Sequence, residues 1–356
     1  MRLAVLDVGS NTVHLLMVDA HSGAHPKPMS SDKDQLRLAE NLDSRGALTK
    51  SGVRALVESV HKARDSARAA GCDDLMAFAT SALRDATNSA EVLARVHDET
   101  GVALEVLHGE DEARYTFLAV RRWFGWSAGR LLALDIGGGS LEMAVGRDEM
   151  PEEAASLPLG AGRLTREWFR GDPPTRAEID RLREKVEADL APVAGRLRIA
   201  GDPDRAVGTS KTFRSLARLA GAAPSSEGPR APRTLSAVGL SQLTAFISRM
   251  SSGDLAELEG VSASRAHQLV AGAVVAQAAM GALGISEVDI CPWALREGVI
   301  LRRLDMLDGA KPAERASTPA KPAEQASVPA TGADRSAQEA GGGLGPLTSH
   351  RARWSE

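Results

Sequence analysis

One pattern occurs twice in this chain and constrains it more than any other: an apolar run ends in aspartate, turns through a glycine loop, and departs as a second apolar run. The first copy is Leu3-Ala4-Val5-Leu6-Asp7-Val8-Gly9-Ser10-Asn11-Thr12, followed by residues 13–18; the second is Leu131-Leu132-Ala133-Leu134-Asp135-Ile136-Gly137-Gly138-Gly139-Ser140, followed by residues 141–145. Each copy predicts two short strands joined by a tight turn. Glycine leaves main-chain N–H groups free to point inward without side-chain obstruction, which forms an anion-binding concavity. The leading aspartate is placed to hold a cation or to position water. Two copies predict two similar half-molecules gripping one phosphate-bearing ligand between them, with Ser10, Asn11, Thr12 and Ser140 adding side-chain donors. Both loops run into strands rather than helices, which argues against a nicotinamide fingerprint, and there is no Walker A loop.

Composition narrows the ligand. A length of 356 residues fits two domains with real cores. The formal charge is −4, so no global field favours nucleic acid, and an anionic ligand needs a local cluster of cations. Aromatic residues make up 3%, too few for base-stacking platforms. Cys72 and Cys291 fit no metal-ligand spacing and read as reduced structural thiols. No leader-like segment and no apolar run of about 18 residues is found, so the expected location is cytoplasmic, with no membrane partner.

The order of signals predicts a mixed sheet covered by helices, twice over. After the opening hairpin come a helix at 49–71, a strand at 75–80, a helix opening at 88, a strand at 102–107 and a helix at 110–123. The pattern restarts at Arg130, with a strand near 154–158, helices at 162–169 and 175–193, and a short strand at 206–207. Helices at 208–222, 240–250 and 264–283, a strand at 287–290 and a last helix at 293–307 complete it; residues 223–233 read as a loop. The boundaries are 1–124, 125–308 and 309–356. The last segment contains the near-duplicate AKPAERASTP and AKPAEQASVP; its prolines and scarcity of large apolar residues predict a disordered tail.

Several residues outside the loops are fit for chemistry. Gly109-Glu110-Asp111-Glu112-Ala113-Arg114 opens a helix just before the second half. Acids there are ordinary companions of the helix dipole, and one of them at a cleft is also able to take a proton from attacking water. Arg84, read at the end of a strand, is either a surface charge beside Asp85 or a bidentate phosphate contact. Gly208-Thr209-Ser210-Lys211-Thr212 is either a plain N-cap or a second phosphate cradle. Glu142 follows Ser140 by two residues on a strand and so points to the same side; with Asp7 and Asp135 it offers carboxylates for Mg²⁺. No histidine cluster points to zinc, and His14 reads as packed or hydrogen-bonded.

Together with Ala294-Leu295-Arg296-Glu297-Gly298, these motifs resemble the exopolyphosphatase and guanosine-pentaphosphate phosphatase (Ppx/GppA) family over residues 1–307. The resemblance implies an α/β fold of two actin-like (ribonuclease H-like) domains with a cleft between them and the last helix crossing back to the first. It implies Mg²⁺-dependent hydrolysis of a terminal phosphoanhydride, with Mn²⁺ as an alternative ion. By position, Glu112 matches the catalytic glutamate. Asp7, Asp135 and Glu142 match the metal site. Gly9, Ser10, Asn11, Thr12, Arg84, Gly137, Gly138, Gly139, Ser140, Thr209, Ser210 and Lys211 form the phosphate-binding set. The implied substrate is inorganic polyphosphate or guanosine pentaphosphate, and the implied assembly a homodimer. Leu141 stands where threonine is common, and Cys291-Pro292-Trp293 replaces a small polar stretch. The C-terminal helical domain of longer members is missing, which implies a preference for shorter polyphosphate. A non-catalytic phosphate sensor on the same fold is the alternative of another class.

Overall fold

The structure is a computed structural model that describes residues 1–21 and 27–309. Strands β1 (Arg2–Val8), β2 (Val13–Asp19), β3 (Lys27–Asp34), β4 (Asp74–Ala79) and β5 (Glu105–Val106) form one sheet, ordered β3-β2-β1-β4-β5. Helices α1 (Lys50–Ala69), α2 (Ser81–Arg84) and α3 (Ser89–Thr100) lie between its later strands, and α4 (Gly109–Phe124) follows. Strands β6 (Leu131–Ile136), β7 (Leu141–Gly146), β8 (Glu153–Leu157), β9 (Arg205–Gly208), β10 (Thr234–Ser236) and β11 (Glu287–Ile290) form a second sheet, ordered β10-β11-β9-β6-β7-β8. Its helices are α5 (Ala161–Trp168), α6 (Arg176–Ile199), α7 (Lys211–Leu219), α8 (Ala237–Ile247), α9 (Ser252–Ala256) and α10 (Leu269–Ala282), with α11 (Leu295–Gly309) last.

The sheets share a plan. β1 pairs antiparallel with β2 and parallel with β4, and β6 pairs antiparallel with β7 and parallel with β9. Reading β8-β7-β6-β9-β11 against β3-β2-β1-β4-β5 gives the same order and directions, with β10 added at the far edge. The continuous apolar runs explain why β1, β4 and β6 are central: Leu3–Leu6 and Leu131–Leu134 are fully or almost fully buried, as strands covered on both faces require.

Two helices tie the halves together. Tyr115 of α4 packs in the core beneath the first sheet with Leu3, Val5 and Phe78, whereas Phe117 and Val120 pack with Leu131, Ala133 and Ala144 of the second. α11 lies along α4 and touches β1. A Cβ on Gly298 would run into the main chain of Tyr115, so the crossing depends on a bare backbone there. Arg122 of α4 donates to Asp305 of α11 at 2.9 and 2.7 Å, and Arg303 of α11 donates to Asp74 at 2.9 Å.

Some expectations shift. Thr80–Arg84 is not a strand end: Thr80 leads into the single helical turn α2. The strand expected at 102–107 shrinks to two residues. The helix expected at 264–283 begins as a 3-10 segment over Ala263–Gln268. α6 continues through Pro192 to Ile199, because Val193, Ala194 and Leu197 extend the buried stripe of Val186 and Leu190. β3 and β10 were not expected, since Lys27–Asp34 is polar and Thr234–Ser236 very short. α10 is buried almost all round, which makes it core rather than a surface for a second copy. The tail expectation falls outside the described residues, apart from Gly309, which ends α11.

Candidate active site

Both glycine loops close with the same main-chain bond. Gly9 N–H donates to Thr12 O at 3.0 Å, and Gly137 N–H to Ser140 O at 2.9 Å. These two glycine amides are therefore used inside the turn. The carbonyls at the loop tips are held from behind. Arg37 N and Ala39 N donate to Asn11 O and Ser10 O at 3.0 and 3.1 Å. In the second loop, Ala161 N and Arg163 N donate to Gly137 O and Gly138 O at 3.0 and 2.9 Å, and Arg163 Nε donates to Gly139 O at 2.9 Å. A peptide plane puts each carbonyl opposite the following N–H. Holding the carbonyls outward thus aims the N–H groups of Asn11, Thr12, Gly138, Gly139 and Ser140 the other way. Among the described residues these five amides meet no protein acceptor. They are two anion nests.

The nests face each other. An added Cβ on Gly138 would lie 2.8 Å from Asn11 Nδ2 and 3.1 Å from Ser10 Cβ. Ser10 Oγ and Ser81 Oγ are 2.9 Å apart, and Asn11 Nδ2 donates across to Gln268 Oε1 at 3.4 Å. Between them lies a cavity of about 180 Å³, lined by both loops, Thr80, Ser81, Glu112, Asp135, Glu142, Lys211, Arg214, Arg265 and Arg296.

Four acids surround this space. Glu112, in the first turn of α4, is 6% exposed and accepts from Arg84 Nη1, whose same nitrogen donates to Leu107 O at 3.0 Å. Burial pushes the Glu112 carboxyl well above the ordinary carboxylate range, and the charge of Glu142 adds to the rise against the opposing pull of Arg84. Glu142 is raised as well, first by burial and then by Asp135, its partner in the β6–β7 register; Ser156 Oγ donates to it at 2.9 Å. Asp135 accepts from Thr209 Oγ1 at 2.5 Å and Asp7 from Arg296 Nη1 at 3.1 Å. Burial raises both, with those partners opposing it.

The phosphate set is therefore sorted. Ser10, Asn11, Thr12, Gly138, Gly139 and Ser140 present donors, and Arg84 sits beside Glu112. Thr209 is taken up by Asp135. Ser210 caps α7, accepting from Phe213 N at 3.4 Å, while it and Lys211 also line the cavity. Glu110 and Asp111 pair with Arg114 at 3.1 and 2.9 Å and stand apart from Glu112. Among the described residues no three acids, histidines or cysteines form a ready-made metal cage. Mg²⁺ does not require one, because it keeps several waters and uses one or two carboxylates with phosphate oxygens. Asp135 and Glu142, neighbouring acids each raised by burial, fit that description; Asp7 already has a cation.

Sequence reasoning named Lys211 but missed the rest of a cationic wall. Lys211, Arg214 and Arg265 have no carboxylate partner within ion-pair distance among the described residues, and Lys33 of β3 faces the same group. Burial first, then repulsion from neighbouring cations (Arg296 included), lowers all four, while Asp135 opposes the shift at Arg214 and Arg265; an anion there would relieve the repulsion. Beyond the helix start that pointed to Lys211, the sequence signal was the i, i+3 spacing of Lys211 and Arg214; Arg265 had none.

Opposed Asp-led hairpins on two sheets of one plan, with donor nests at their tips, define an actin-like, phosphate-binding α/β protein. The chain belongs to the Ppx/GppA phosphatase family, whose model matches residues 17–307. It is 64% identical over 318 residues to a Mycobacterium tuberculosis protein named exopolyphosphatase 1, covering 89% of this chain and 92% of that one. It is 27% identical over 297 residues to an Aeromonas hydrophila guanosine-5'-triphosphate,3'-diphosphate pyrophosphatase, covering 83% of this chain and 58% of that longer protein. The crystal structure of the Aquifex aeolicus Ppx/GppA family member superposes with a TM-score of 0.72 at 25% identity, covering 87% of this chain and 99% of that one. No helix among the described residues is long and apolar enough to cross a membrane.

Proposed function

We propose that this protein is an exopolyphosphatase that removes the terminal phosphate of linear inorganic polyphosphate. The observation that carries the reading is the convergence of two donor nests, a wall of cations without carboxylate partners among the described residues, and the buried Glu112 and Glu142 on a single small cavity. A multiply charged, phosphate-ended ligand satisfies all three. The relative at 64% identity, named exopolyphosphatase 1, supports the same substrate class.

In this reading the terminal phosphate sits between the loops, its oxygens accepting from the amides of residues 11–12 and 138–140. Glu112 orients a water and accepts its proton as the water oxygen bonds to phosphorus. The bridging P–O bond breaks, the shortened chain keeps the bridging oxygen, and orthophosphate is released. Arg84 holds Glu112 in place and faces the charge that spreads over the equatorial oxygens. Such chemistry asks mainly for positioning and charge neutralisation. Asp135 and Glu142 are the proposed holders of Mg²⁺ (or Mn²⁺), which supplies charge neutralisation at the phosphate oxygens when bound. The working unit is proposed to be a cytoplasmic homodimer, the assembly being checked by light scattering.

Phosphate release from graded polyphosphates, guanosine pentaphosphate and ATP, with Mg²⁺ and with EDTA, tests the reading. Polyphosphate is expected to be the best substrate, with activity lost in EDTA. Faster release from guanosine pentaphosphate would transfer the assignment to that substrate.

A further inference from the structure

Beside the cleft lies a second cavity of about 550 Å³, and Lys211 and Arg214 line both. These residues stand on α7, and Arg218 carries the same helix face into the second cavity. Positions separated by three and four residues share a face of a helix. At 1.5 Å per residue, the row from Lys211 to Arg218 spans roughly 10 Å. It starts where Ser210 meets the cleft and leads away from the glycine loops. Ser225 and Ser226 add hydroxyls on the far wall.

The three cations are differently committed. Among the described residues, Lys211 and Arg214 have no carboxylate partner within ion-pair distance. Arg218 Nη1 donates to Ala222 O at 3.2 Å, and its other arm meets Glu259 at 2.8 Å. The Glu259 side chain is 77% exposed, and such surface pairs contribute at most about 1 kcal/mol. A polyanion therefore competes for Arg218 at little cost.

We infer that this row is a track for the retained part of the substrate: the phosphates beyond the attacked one run over Lys211 and Arg214, and longer chains reach Arg218. The inference rests on the exopolyphosphatase reading. Another cavity bordering the cleft at Ser140, about 590 Å³, is a poor route for a polyanion. Asp85, Glu110 and Asp111 line it, and its arginines, Arg84 and Arg114, are already paired with acids. Arg218 is thus a specificity-determining residue for chain length that has no part in the chemical step.

The test is steady-state kinetics on tripolyphosphate and long-chain polyphosphate with the full chain. Arg218→Gln is expected to raise KM for the long chain about fivefold, equivalent to about 1 kcal/mol. It should leave kcat, and all constants for tripolyphosphate, unchanged. Arg218→Lys should restore most of the long-chain KM. Glu259→Gln, which breaks the ion pair but keeps the cation, should leave that KM at or below the wild-type value, whereas a merely structural pair would behave alike from either side. Equal changes at both lengths, or none, would overturn the track while leaving the enzyme assignment standing. Wild-type protein that neither binds nor hydrolyses polyphosphate would overturn both.

Discussion

Arg84 and Glu112 form one unit at the floor of the cleft: the guanidinium comes from the helical turn after β4, the carboxylate from the first turn of α4, and the two are hydrogen-bonded. Glu112→Gln keeps an acceptor for Arg84 but loses the ability to take a proton. Phosphate release should fall about 10²- to 10⁴-fold, the usual worth of a general base. The melting temperature and polyphosphate binding should stay near wild type. Full activity in this variant would remove Glu112 from its proposed role.

Arg84→Ala leaves a buried carboxyl with its main counter-charge gone, so the Glu112 pKa should rise further and the carboxylate should be a poorer acceptor for the water proton. If the two act as a unit, the double variant Arg84→Ala/Glu112→Gln will be little slower than the slower single variant, because their effects overlap. Rates that multiply would mean the residues act independently.

At Gly298, where α11 crosses α4, alanine would force its methyl into the main chain at Tyr115. Overpacking of this kind costs about 1–3 kcal/mol, so the urea midpoint of Gly298→Ala should drop by the corresponding amount. Activity should drop with it, since the same crossing positions Glu112. An unchanged midpoint would show that the helices separate freely there.

His14 supplies the pH dependence. It is buried, with Nε2 2.7 Å from Ser31 Oγ; burial first, then the charges of Arg296 and Lys33, push its pKa down to about 3. The unfolded chain takes up this proton below about pH 6.5, while the folded chain does not. Its contribution to stability is therefore whole above pH 6.5 and is lost as pH falls towards 3, with a ceiling of roughly 5 kcal/mol at about 1.4 kcal/mol per pH unit. Urea titrations from pH 7 to 4 should show a steeper loss for wild type than for His14→Gln; parallel curves would refute the assignment.

Much of this architecture was legible because backbone demands leave marks in sequence. The two Asp-led loops announced their hairpins, and the acidic start of α4 stood out between the halves, although only the family resemblance singled out Glu112 from Glu110 and Asp111. Long-range pairing left weaker marks. Nothing near Arg265 signals that it joins Lys211 around the cavity, and nothing near Gln268 signals that it meets Asn11, a contact that depends on how the second half folds over the first. β3 was hidden because an edge strand with solvent on one side needs few apolar residues. The bond from the Thr209 hydroxyl to Asp135 was equally hidden, since the two become neighbours in space only through the parallel pairing of β6 and β9.

Helix α4 belongs to both cores, with Tyr115 seated under one sheet and Phe117 and Val120 under the other. The glutamate at its head is consequently surveyed from two reference frames at once. A shift of either sheet against this common beam alters the distance from Glu112 to one nest while preserving the other, and misplacement by about 1 Å can cost a hundredfold in rate. In the proposed mechanism the seating of a single helix therefore sets the tolerance of the site, and substitutions on its buried flanks, far from any phosphate, are expected to slow hydrolysis.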